Sequence, residues 1–235
     1  MEWLNSLYES FYNALIPEQR YLAYLSGLRM TLLIAVFAVL LGAIIGIVVA
    51  VIKVGAKHSR NPLLGVLSKV CGAYTTFIRG TPALVQVMII YNLVFTSADT
   101  NPVVVGAVCF GINSGAYVSE VIRSGIEAVP KGQMEAGRSL GFTYVQTMQY
   151  IILPQAIKNV LPALGNELIV MVKETAVVSV IAVNDLMKMA QYIGSRTWDV
   201  VPPLVIASVI YLIITMFLTY VIRFFERRLA KSDHH

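Results

Sequence analysis

Two stretches fix the class of this 235-residue chain before any motif is sought. Met30 to Ile52 and Val200 to Ile222 each run for 23 residues without a charged side chain. A helix of about 20 apolar residues crosses the hydrocarbon of a bilayer, and such runs are rare in water-soluble cores. Composition agrees: 57% of residues are hydrophobic and 13% charged. Soluble domains carry about a quarter charged residues. The sequence predicts an all-α integral membrane protein, because helices satisfy their backbone groups within each span.

The other apolar stretches complete five predicted spans, at about 28–53, 61–97, 102–125, 158–184 and 200–225, within a membrane domain of 21–228. Gly42 and Gly46, and again Gly111 and Gly115, stand four apart, a spacing that admits a close helix neighbour. The second span is interrupted by Arg79-Gly80-Thr81-Pro82. Pro82 removes a backbone donor and Gly80 weakens the helix, so a break or bend is expected there. Ahead of the spans, Trp3, Leu7, Phe11 and Leu15 recur every four residues. That pattern predicts an amphipathic helix over 1–20 on the membrane surface, although a mobile N-terminal arm would also fit. Residues 97–102 and 184–199 read as external connections, and 229–235 as a cytoplasmic tail.

Orientation follows from the basic residues. The segment Lys53–Lys69, the stretch from Arg123 to Lys158 and the chain from Arg223 onwards hold four Lys and Arg each. The N-terminal segment and the two other connections hold four between them (Arg20, Arg29, Lys188, Arg196), while Arg79 and Lys173 fall within spans. Cytoplasmic loops carry the basic excess, so the N-terminus is expected outside and the C-terminus inside. That distribution also argues against nucleic acid as the reason for the net charge of +5.

Catalytic signatures are missing. The sequence has no GxxxxGK[ST], HExxH or GxSxG. Cys71 and Cys109 sit in apolar surroundings and read as small core residues. His58, His234 and His235 have no metal-ligand spacing, and the terminal pair resembles a tag remnant. The chain is therefore expected to be no enzyme and to hold no cofactor of its own.

The longest polar interruption is Glu127 to Pro154, punctuated by Pro130, Gly132, Gly137 and Gly141. Two short helices are predicted there, with breaks near Gly141 and Pro154. Within it stand Glu135-Ala136-Gly137, then Gly141, Ile151, Leu153 and Pro154. This spacing resembles the EAA loop (127–154) through which ABC-importer permeases dock onto their ATPase, except that the family prefers Ala where Gly137 stands. Small residues permit close backbone approach to a partner, and Glu135 offers a carboxylate to an Arg or a helix N-terminus.

The likeness extends to RGTP at 79–82, to SGAYVSEVIRSGIEAVPKGQMEAGRSLG at 114–141 and to ILPQAIKNVLPALGNE at 152–167. These are similar to the polar amino-acid permeases of type I importers, the histidine, glutamine and arginine uptake group. The resemblance implies a multi-pass subunit of the bacterial cytoplasmic (inner) membrane, paired with a second copy or a homologue. It implies two ATPase subunits below that bind ATP and Mg, and an extracytoplasmic solute-binding protein above. It also implies alternating access for an amino-acid substrate, with Glu135, Ala136, Gly137 and Gly141 coupling to the ATPase.

Polar side chains inside spans need a reason. Glu120, Asn166, Tyr117, Arg79 and Thr81 are the expected solute-binding residues, with Glu120 suited to a cationic amino acid. Lys173 and Glu174 are expected to close helix contacts or a dimer interface. An intramembrane enzyme would need paired catalytic groups. A transporter driven by an ion gradient could use Glu167, Lys173 and Glu174 as a relay, but that reading leaves the EAA loop unexplained.

Overall fold

The uncharged run from Met30 becomes the middle of α2 (Arg20–His58), a helix of 39 residues. At 1.5 Å per residue it is about 58 Å long, so its ends pass well beyond a bilayer's hydrocarbon. The computed structural model describes residues 2–59, 61–95, 100–181 and 183–231, with side chains to 228. Arg60, residues 96–99 of the expected outer turn and the terminal histidines lie outside the described residues.

Every regular element among the described residues is helical. Before α2 comes α1 (Glu2–Leu15), joined to it by a single tight turn at Pro17–Gln19. Trp3, Leu7 and Tyr8 of α1 are exposed, while Ala14 packs inward. The following elements are α3 (Pro62–Gly80), α4 (Ala83–Val94) and α5 (Pro102–Glu127). Then come α6 (Lys131–Ser139), α7 (Tyr144–Thr147) and α8 (Leu153–Glu174), and last α9 (Leu186–Thr197) and α10 (Val201–Lys231).

The helices α2 and α5 form the closest pair, packed along most of their length. Glycine makes this possible. A Cβ on Gly42 would lie 2.7 Å from the Ser114 side chain, and one on Gly46 would lie 2.6 Å from Val118. In return, Gly111 and Gly115 receive Leu41 and Ile45 at 2.6 and 2.7 Å. The two four-residue glycine pairs thus face one another. Around this crossing Ile34, Ala38, Cys109, Phe110, Met171 and Val178 form the main core, which joins α2, α5 and α8.

The RGTP interruption is sharper than a kink: α3 and α4 meet at 113°. Gln86 closes the break. Its amide donates to the carbonyls of Ile78 and Thr81 and to the Thr81 hydroxyl, while its own oxygen accepts from Asn113 of α5. Burying a broken helix requires such partners for its freed carbonyls. The expected break at Pro154 is instead a wide turn. Residues Met148–Ile152 form a single π turn that runs directly into α8. Such a turn offers no partner for one N–H, which suits a proline that has none.

Residues 184–199 are more ordered than an external connection suggests. Buried Asp185 caps α9 by accepting from the N–H groups of Met187 and Lys188, and Leu186, Ala190 and Ile193 are buried beneath α9. The Leu186 N–H donates to Thr31, and a Cβ on Gly27 would lie 2.8 Å from the Asp185 carbonyl. Thus α9 seats on the N-terminal part of α2. Among the described residues three helices (α2, α5, α10) are long and apolar enough to cross a membrane, and the bent α3–α4 pair makes up to four.

Candidate functional site: a polar cavity and a helical elbow

The cavity opens between the α3–α4 break, α5 and α8, with a volume of about 490 Å³. From α5 it receives Tyr117, Glu120 and Ser124, and from α8 Asn159, Ala163 and Glu167. The α8 residues stand four apart, one face of a helix. Asn166 is exposed and, seven residues after Asn159, lies on the same side of α8. Arg79 enters from the helix break and stacks over the Tyr117 ring, 5.7 Å from its centre.

Glu120 borders the cavity but its oxygens are engaged. Lys53 of α2 approaches Oε1 at 2.7 Å, Arg123 approaches Oε2 at 2.8 Å, and Arg79 stands 3.8 Å away. Glu167 is different: Ser114 donates to its Oε1 at 3.0 Å, and no cation pairs with it among the described residues. Thr81 serves the helix break, donating to the Phe77 carbonyl and accepting from Gln86. Lys173 and Glu174 are exposed, and Lys173 lines a separate groove with Arg223 and Arg227.

The elbow follows α5. Pro130 starts α6, and Gly141 ends it at φ +89°, a conformation that glycine adopts without strain. The Phe142 N–H bonds back to the Gly137 carbonyl and the Gly141 N–H to that of Arg138, the paired bonds of a glycine-terminated helix. Thr143 and Gln146 then cap α7 reciprocally. Glu135 and Ala136 are exposed, whereas Gly137 faces inward, its absent Cβ position 2.5 Å from Thr147. Leu140 is 78% and Val145 67% exposed at the corner, an unusual display of apolar surface outside the spans.

Residues 42–231 match the family described as binding-protein-dependent transport system inner membrane component. The chain belongs to this permease family. It is 38% identical over 226 residues to the arginine transport system permease protein of Bacillus subtilis, covering 94% of this chain and 98% of that protein. The putative glutamine transport system permease protein of Rickettsia bellii is 40% identical, covering 88% and 92%. Salmonella typhimurium supplies a histidine/lysine/arginine/ornithine transport system permease protein at 37% identity, covering 87% and 92%. Among solved structures, an amino acid ABC transporter crystallised with histidines matches with a TM-score of 0.80 at 44% identity, covering 88% of this chain and 94% of that one. The permease therefore has the type I importer fold.

The expected residues Tyr117, Glu120 and Arg79 meet at the cavity of the permease. Sequence reasoning missed Asn159, Ala163 and Glu167 as a set. Their four-residue spacing in an apolar helix was the available signal. Lys53 gave no local signal as a partner of Glu120, which lies 67 positions away.

Proposed function

We propose that this permease imports a polar, preferentially cationic amino acid. It acts as one of two permease subunits above a pair of ATPases that bind ATP and Mg. The observation that carries the reading is an open cavity bordered by a loosely held guanidinium, Arg79, and a carboxylate, Glu167, with no cation on it among the described residues. A zwitterion with a basic side chain needs both signs of charge. Taking that charge out of water costs several kcal/mol unless partners replace the water, which these groups would do. Asn159, Asn166 and Tyr117 add neutral donors and acceptors. Glu167 thereby takes the part expected of Glu120, whose oxygens already hold Lys53 and Arg123.

Five spans, counting α3–α4 and α8 with the turns after it, put the N-terminus outside and the elbow inside. An extracytoplasmic binding protein delivers the solute to the bacterial cytoplasmic membrane from outside. ATP-driven closure of the ATPases moves the elbow, where Glu135, Ala136, Leu140 and Val145 supply the exposed docking surface and Gly137 and Gly141 its form. The cavity then faces each side of the membrane in turn.

Uptake by proteoliposomes holding the permease, its ATPase and its binding protein tests this. Glu167→Gln is expected to lower arginine uptake about tenfold or more while changing glutamine uptake less, since one charge-assisted bond is lost. An unchanged preference for arginine removes Glu167 from the site. Uptake that follows an ion gradient and ignores ATP ends the importer reading altogether.

A further inference from the structure

Glu120 is held by three cations from three segments, and the contacts are unequal. Lys53 and Arg123 lie at 2.7 and 2.8 Å, within hydrogen-bond reach. Arg79 stands 3.8 Å from Oε2, and its side chain is 46% exposed beside the cavity. Arg79 is the loosely held member. Arg123 divides its donors: Nε and Nη2 serve Glu120, and Nη1 serves Glu127. Glu127 is also paired with Lys57 at 3.0 Å, and it ends α5 three residues before Pro130, where the elbow begins. Alternating charges therefore run without a gap from the cavity wall to the elbow, as Arg79, Glu120, Arg123, Glu127 and Lys57.

We propose that this chain of ion pairs reports solute occupancy to the elbow: a bound carboxylate takes Arg79 from Glu120, and Glu120 then draws Arg123 away from Glu127. The inference rests on the reading that an amino acid occupies the cavity. A guanidinium grips a carboxylate through two parallel charge-assisted bonds, which a contact at 3.8 Å does not provide. With Arg79 gone, Oε2 of Glu120 retains Arg123 alone. Because the Arg123 donors are shared, what Glu120 gains Glu127 loses. Glu127 is 49% exposed, so its released oxygen meets water and Lys57 still holds the other. The two arrangements, Arg79 on Glu120 or Arg79 on solute, are the two states that any coupling between sites requires. Reciprocity follows: an elbow that keeps Arg123 on Glu127 also weakens the solute's hold on Arg79.

The test uses the permease with its ATPase in nanodiscs and arginine as the probe. Two quantities are read: arginine affinity with the binding protein left out, and the rise in ATP hydrolysis when arginine is added with the binding protein present. Glu127 does not itself line the cavity. Glu127→Gln is expected to leave arginine affinity unchanged or raised, since Arg123 is freed for Glu120, while lowering the stimulation about fivefold or more, the lower range of measured couplings. Glu120→Gln is expected to behave alike, with Glu120→Asp restoring part of the stimulation. If Glu120→Gln does not fold, because three cations lose their acid, Glu127→Gln decides alone. Wild-type stimulation in Glu127→Gln overturns the relay. Loss of arginine affinity in a folded Glu120→Gln also overturns it, since Glu120 would then be a solute ligand. A wild-type complex that binds no amino acid overturns the transport reading instead, so the two failures are distinguishable.

Discussion

The α2–α5 crossing and the α6–α7 elbow both depend on missing Cβ atoms, yet they depend on them differently. At the crossing, four glycines in two facing pairs accept Ser114, Val118, Leu41 and Ile45, and the ion pairs of Lys53 and Lys57 tie the same two helices further in. The contact is repeated along the helix. In the elbow one glycine, Gly137, accepts Thr147 and Ile151, and a second, Gly141, makes the corner. The contact is made once. Repetition yields a frame that cannot slide without many simultaneous clashes. A single close approach yields a joint that keeps its form but depends on one residue. That difference separates a rigid frame from a single joint.

Four substitutions probe the contrast. Gly46→Val at the crossing has the largest expected effect, because its branched side chain lands on Val118 with backbone behind it. A loss of about 3 kcal/mol or more is expected, read as failure to extract folded protein. Gly72→Ala, where no atom lies within 4 Å, is the control. It should gain about 0.5–1 kcal/mol as glycine leaves a helix interior. Gly137→Ala in the elbow comes next, at about 1–2 kcal/mol of lost thermal stability. Thr147→Ser should restore most of it, by removing the crowding methyl while keeping the hydroxyl bond to the Thr143 carbonyl. A Gly137→Ala protein as stable as the parent would show that the elbow has slack and would dissolve the comparison.

The third contact on α2, at Gly27, brings the smallest effect. Asp185 is fully buried there, and burial raises its carboxyl from the ordinary 3.8 to about 6. The folded protein then keeps a proton that the unfolded chain loses between about pH 4 and 6. Stability should therefore fall as pH rises through that window and level off above it. Asp185→Asn, still a competent helix cap, should flatten the thermal midpoint against pH. A slope that survives in Asp185→Asn would assign the titration elsewhere.

Much of this architecture was legible in the sequence, for identifiable reasons. Uncharged runs and glycine or proline interruptions act locally, so α2, α10, the RGTP break and the corner at Gly141 could be read directly. The facing of Gly42–Gly46 with Gly111–Gly115 could not, since either pair alone occurs often in apolar sequence and only tertiary packing matches them. The engagement of Glu120 was hidden for the same reason: Lys53 and Arg79 reach it from distant segments. Gly137 was expected to share one exposed face with Ala136, but neighbours on a helix point about 100° apart, and only Ala136 is exposed. The helix α9 was obscured by its charges, which mark the outward face of a helix whose other face is buried.

The wide turn at Met148–Ile152 sets a phase. One residue more than an ordinary turn carries holds everything after it back by about 100° around the axis of α8. Asn159, Ala163 and Glu167 owe their azimuth to that lag. The segment that begins at the elbow therefore aims the cavity wall, and tightening those five residues to a regular helix would swing Glu167 out of line without altering a single side chain.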